Sequence, residues 1–301
     1  MEAILNPPSL PSSSPSPSPS LPSTTIPVTI PTPDYTLSGQ IYPSLVPPLT
    51  PPVLFVLCHG LLNARYSRIV RTMATALLPT TSVLVFDFQG NGSSTGTTNY
   101  GNYEDEVHAL HHVVLHTRSL GYRVVGIAGH SKGAADVLLY ASQYGDVPLV
   151  VNIAARYDHT QAPIDRFTAD QRRELEEKGS FVWLTYGWDV VREYVVRKED
   201  LERRTTMDMS GVARIDRTRT RVLTVHGSAD EIVPVKDAYA FEGMLNEGGP
   251  DGKVKCHELV IVEGAGHSFV SAEEQEGLAK AMGEFVNVHW DFAIDVLDGT
   301  A

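Results

Sequence analysis

Apolar residues fall in short unbroken runs, set apart by longer amphipathic stretches. The runs are 53–58 (VLFVLC), 82–86 (SVLVF), 123–127 (RVVGI), 149–154 (LVVNIA), 221–226 (RVLTVH) and 257–262 (HELVIV). A continuous apolar run bounded by turn residues predicts a strand buried on both faces, the kind found in parallel sheets. The intervening stretches predict helices over about 64–78, 103–120, 235–246 and 272–289, with another opening near Gly133. Strands alternating with helices at this rhythm give an α/β class: a mostly parallel sheet with helices on both faces. Ahead of this series, 25–30 and 35–42 read as a hairpin at the sheet edge.

The rhythm breaks after residue 155. No buried strand is evident from 156 to about 220. Charged segments (QRRELEEKG, VVREYVVRKEDLERR) surround the aromatic residues Phe181, Trp183, Tyr186 and Trp188. The segment is too long for a plain loop in a compact domain. It is expected to be an inserted helical cap over 156–213, dividing a core of 25–155 and 214–301. Its aromatics either line a ligand pocket or form the insert's own small core.

Composition changes the picture at the N-terminus. Fifteen of the 20 prolines lie in residues 1–52, and 11–20 is nearly pure Ser-Pro. Such a stretch has little apolar surface to bury, so 1–24 is expected to be a disordered, polyproline-leaning tail. No lysine or arginine precedes Arg65, so neither a secretory signal nor a transit peptide is supported. The two cysteines, Cys58 and Cys256, are expected to be buried, reduced thiols. Together these imply a cytoplasmic protein. The net charge of −12 argues against nucleic acid and anionic membranes as partners. No apolar run reaches the roughly 18 residues of a membrane helix.

Candidate chemistry collects where predicted strands end. After 123–127 comes Gly129-His130-Ser131-Lys132-Gly133, a G-x-S-x-G turn between strand and helix. A serine on so sharp a turn takes strained backbone angles, and a side chain two residues to either side would collide with the turn. After 221–226 comes Gly227-Ser228-Ala229-Asp230, and after 257–262 comes Gly264-Ala265-Gly266-His267. A serine hydroxyl needs a histidine to take its proton, and the histidine needs a carboxylate to fix its tautomer. Ser131, Asp230 and His267 occur in the chain order expected of such a triad. Glu231, Asp237 and Asp158 compete with Asp230 as the acid, and Glu263 reads as structural. His59 is expected to brace the neighbouring loop. His108, His112 and His116 share one helix face, but no acidic or cysteine ligand completes a metal site.

These motifs, together with LCHGL at 57–61, DFQGNGSS at 87–94 and HGSADEIVP at 226–234, resemble the α/β-hydrolase superfamily over about 25–290. More narrowly, the chain is similar to plant and fungal esterase-like members with a GHSKG turn. It also resembles cinnamoyl (feruloyl) esterases and monoacylglycerol lipases. The resemblance implies a serine esterase with catalytic Ser131, Asp230 and His267, an oxyanion hole made by the backbone N–H groups of Leu61 and Lys132, and no cofactor. It departs from the family pattern at Gln89, where relatives often carry arginine. The expected substrate is a small-molecule ester with a small, apolar or aromatic acyl group. The same triad also serves thioesterases, acyltransferases and peptidases. A ligand-binding protein with a slow or vestigial triad, or an adaptor acting through its tail, are the readings from other classes.

Overall fold

The computed structural model describes residues 20–46, 49–186, 191–246 and 255–300. The predicted tail lies outside the described residues up to position 19, as does Trp188. Eight strands form one sheet: β1 (Ile26–Pro31), β2 (Thr36–Tyr42), β3 (Val53–Cys58), β4 (Ser82–Phe86), β5 (Arg123–His130), β6 (Leu149–Ile153), β9 (Arg221–Gly227) and β10 (His257–Val262). Their order across the sheet is β1-β2-β4-β3-β5-β6-β9-β10. The two hairpin strands at one edge pair antiparallel, and every pairing from β4 to β10 is parallel. The central strands β3, β4 and β6 are buried at every position, which is why their sequences are unbroken apolar runs.

Helices cover both faces. α1 (Arg68–Leu77) and the last helix, α7 (Ala272–Asp298), pack on one side around Phe55, Met73, Met282 and Phe285. On the other side lie α2 (Glu104–Ser119), α3 (Lys132–Tyr144) and α6 (Lys236–Asn246), around Leu110, Val113, Leu138 and Phe241. α7 runs nine residues beyond the predicted end because Ala293 and Val296 continue its buried stripe.

Between β6 and β9 the structure corrects the expectation of an all-helical insert. α4 (Ala169–Lys178) and α5 (Lys198–Thr205) are present, but β7 (Ser180–Tyr186) and β8 (Val191–Arg197) form an antiparallel pair between them. The pattern there has period 2, not 3.6. Phe181, Tyr194 and Val196 are buried, while Val182, Glu193 and Val195 face outward. Charge in this stretch suggested a solvated helix, and the alternation of β-branched and aromatic residues prevailed. The insert has its own core of Phe167, Leu175, Phe181, Val196 and Leu201, joined by Tyr100 from the loop after β4. α5 also sits close on that loop, where a side chain at Gly101 would strike the backbone of Asp200.

Candidate active site

Ser131 sits between β5 and α3 with φ 57° and ψ −113°, outside the regions that non-glycine residues prefer. Crowding enforces the turn. A Cβ at Gly129 would run into the Gly133 carbonyl, and one at Gly133 into that of His59. The Ser131 N–H donates to the Ile153 carbonyl at 2.8 Å, tying the turn to the next strand. Leu62, Ala154 and Phe269 also take positive φ, so strain gathers at the ends of four neighbouring connections.

The three strand-end loops meet here. His267 Nε2 lies 2.9 Å from Ser131 Oγ, and its Nδ1 lies 2.7 Å from Asp230 Oδ2. A carboxylate only accepts, so Nδ1–H donates to it and Nε2 is left to accept the serine proton. Asp230 is held from every side. Its Oδ1 accepts from the Ile232 and Val233 N–H groups, each at 2.8 Å. His226 Nε2, 2.9 Å from the Val233 carbonyl, is 3.4 Å from Oδ2. Burial alone raises the Asp230 carboxyl; hydrogen bonds from His226 and His267 outweigh it and leave the group below its usual range. His130 Nε2–H donates to the His267 carbonyl at 2.8 Å, and burial, then the nearby His267, pushes His130 down to about 3. It stays neutral and serves as a prop.

The loop after β3 faces the serine. His59 Nδ1–H donates to the Gly60 carbonyl at 2.8 Å, and its Nε2 accepts from the Phe88 N–H at 3.0 Å, so this buried ring braces the loop as expected. The competing acids lie elsewhere: Asp158 binds the Thr160 hydroxyl, and Asp237 accepts from the Tyr157 N–H. Both cysteines are buried free thiols. Among the described residues no group of three or more His, Cys, Asp or Glu side chains is placed to share a metal ion, and no helix is long and apolar enough to cross a membrane.

Two clusters escaped the sequence reading. Lys132 is 4% exposed; its ammonium reaches Glu106 at 2.8 Å and the Asn99 carbonyl at 2.8 Å. Asp136, one turn further along α3, is fully buried, and burial followed by the Glu106 charge raises its carboxyl well above the ordinary range. A signal existed, because Glu106 falls on the apolar stripe of a helix otherwise buried through Val107, Leu110, Val113 and Val114. Likewise Arg65 pairs with Asp87 in the DFQGNGSS loop, and its N–H donates to the same carboxylate at 2.7 Å.

Above Ser131 opens a cavity of about 340 Å³. Leu61, Leu62, Tyr100 and Trp183 form an apolar part of its lining. Trp183 and Phe181 divide the two roles that the sequence left open: Phe181 is buried in the insert's core, and Trp183 faces the cavity.

Residues 55–281 match the sequence profile of the Alpha/beta hydrolase family. The chain belongs to that family. Among curated protein sequences none matches it. Its fold is similar to Est1E from Butyrivibrio proteoclasticus, solved with ferulic acid bound, at 19% identity and a TM-score of 0.64 over 88% of this chain and 99% of that one. An esterase of Pyrococcus furiosus aligns at 19% identity and a TM-score of 0.65, covering 88% of this chain and 91% of its own. A serine hydrolase of Xanthomonas campestris described as lacking a lid aligns at 19% identity and 0.56, over 90% and 97% of the two chains. At such identities the likeness is one of fold.

Proposed function

We propose that this α/β-hydrolase family member is a serine carboxylic-ester hydrolase. The observation that carries this reading is the continuous relay from Asp230 through His267 to Ser131, 2.7 and 2.9 Å long, at the floor of a cavity. His267 takes the Ser131 proton as the hydroxyl oxygen attacks the ester carbonyl. The backbone N–H groups of Leu61 and Lys132 receive the oxyanion. Lys132 opens α3, where the first N–H groups have no helical acceptor. The C–O bond then breaks, His267 returns its proton to the departing alcohol, and an acyl-Ser131 ester remains. Water, deprotonated by His267, attacks this ester and releases the carboxylic acid.

Each oxyanion donor contributes on the order of 3–4 kcal/mol to such a step, so the position of the Lys132 N–H matters as much as the triad. The buried Lys132 side chain has no part in the chemistry. Its bonds to Glu106, Asn99 and Asn102 peg the first turn of α3 to α2 and the preceding loop. Segment 156–213 acts as a cap on the core of 25–155 and 214–301, limiting water and shaping the pocket. Two unpaired buried cysteines suit a cytoplasmic setting.

Hydrolysis of p-nitrophenyl esters from acetate to long acyl chains tests the reading. Turnover is expected in the wild type and absent in Ser131→Ala, with the chain-length profile sizing the acyl pocket. A folded wild type that cleaves none of these esters contradicts a general esterase.

A further inference from the structure

The remaining wall of the cavity carries Arg156, Arg166 and Arg204, and among the described residues no aspartate or glutamate lines it. None of the three arginines has a carboxylate within 4.0 Å among the described residues. Each is met by a neutral oxygen. Arg204 donates to the Gln161 carbonyl at 3.3 Å, Arg166 to the Tyr100 hydroxyl at 3.3 Å, and Arg156 to the Ile232 carbonyl. Arg204 is only 6% exposed. A guanidinium taken that far out of water without a counter-ion is costly, so buried charges are ordinarily paired.

The neighbours add to the imbalance. Burial and then Arg204 push the Arg156 guanidinium down, with Asp237 pulling the other way. His159, buried against Tyr103, is pushed down to about 3 by burial, then by Arg204 and Arg156, so this ring adds no charge. A patch of three cations beside the nucleophile is unexpected in a chain of net charge −12. In a recess walled by protein such a patch attracts anions, and a guanidinium fork matches a carboxylate or phosphate through paired N–H donors.

We propose that the cavity takes an ester bearing an anionic group, a carboxylate or a phosphate, which Arg156, Arg166 and Arg204 hold while Ser131 attacks the ester carbonyl. The apolar side, Leu61, Leu62, Tyr100 and Trp183, receives the uncharged remainder. This inference rests on the esterase reading and narrows its substrate class.

The test compares kcat/KM of the full-length protein on three matched pairs. 4-Acetoxybenzoate against phenyl acetate places a carboxylate on the alcohol side. 1-Acetylglycerol 3-phosphate against glycerol monoacetate places a phosphate there. Monomethyl glutarate against methyl pentanoate places a carboxylate on the acyl side. The charged member of at least one pair is expected to be preferred by about 30-fold or more, and the pair concerned identifies the anion and its side. Arg204→Gln and Arg156→Gln are each expected to reduce that preference about tenfold, chiefly through KM. Charged and neutral members equal within about threefold in every pair, with turnover lost in Ser131→Ala, overturn the anion inference and leave the esterase reading standing. No turnover of any of the six by folded protein overturns the esterase reading itself. Isothermal titration of Ser131→Ala with glutarate and with inorganic phosphate then decides the anion site by binding alone: saturable 1:1 uptake supports it and none overturns it. The wild-type pairs and this titration need no arginine variant, so a poorly folding Arg204→Gln chain does not spoil the test.

Discussion

The floor and the wall of the cavity handle charge in opposite ways. On the floor, Asp230 accepts from His267 and from two backbone N–H groups, and His130 ties down the backbone of His267. Beneath it, Lys132 is matched by Glu106. On the wall, three arginines meet, among the described residues, neutral oxygens and no carboxylate. A floor complete without ligand is preorganised for one kind of chemistry. A wall left incomplete fits the proposed selectivity, in which an anionic substrate supplies what is missing. The floor belongs to the sheet's strand ends and the wall largely to the insert, so the proposed reaction and the proposed preference draw on different parts of the chain.

The largest expected effect breaks the floor. In Asp230→Asn, the Ile232 and Val233 N–H groups keep the amide oxygen, which turns the NH₂ toward His267. Nδ1 must then accept, Nε2 carries the proton, and Ser131 loses its base. Esterase kcat is expected to fall about 10³- to 10⁴-fold with stability little changed, measured by ester hydrolysis beside thermal unfolding.

A second prediction sharpens what complete pairing means beneath the floor. Burial and the neighbouring Glu106 carboxyl favour the uncharged form of Asp136, so Asp136→Asn is expected to cost under about 1 kcal/mol. Glu106→Gln alone is partly compensated, because Asp136 then ionises toward Lys132. The double variant leaves Lys132 buried without an anion and is expected to cost about 3–5 kcal/mol, more than the two single costs combined. Denaturant midpoints of the four proteins measure this coupling.

The last effect is graded with pH. His130 and His159 are pushed down to about 3 and His257 to about 4, mainly by burial, from 6.5. Below pH 6.5 the unfolded chain takes up protons that these rings refuse in the fold. Their contribution to stability is therefore full above that pH and is lost as pH falls from 6.5 toward 4, by about 1.4 kcal/mol per histidine per pH unit. Asp136, with its raised carboxyl, offsets one of them over part of this range. The unfolding midpoint is expected to drop steadily below pH 6, and His257→Gln is expected to flatten that slope by about a third to a half. An unchanged slope in that variant contradicts the assignment.

The strands of the parallel sheet were legible because burial on both faces leaves an unbroken apolar run, as in VLFVLC and SVLVF. The meeting of Ser131, Asp230 and His267 was legible because each follows such a run within a few residues. The insert's hairpin was not, since Arg192, Glu193 and Arg197 masked an alternation that only the packing of Phe181, Tyr194 and Val196 makes plain. Arginines in a charged segment read as a solvated face. Their convergence on one cavity depends on how the insert folds, which spacing along the chain does not convey. Glu106 was within reach: a carboxylate on the apolar stripe of a helix implies a buried partner.

The central claim is that Ser131 is the nucleophile, made reactive by His267. Intact-mass and peptide analysis after reaction with a fluorophosphonate tests it most directly, because covalent capture requires an activated serine and no knowledge of the substrate. The account predicts one adduct per chain, on the peptide holding Ser131, with labelling slowed at least about 100-fold in His267→Ala. A folded protein that stays unlabelled, or is labelled at another serine, contradicts it.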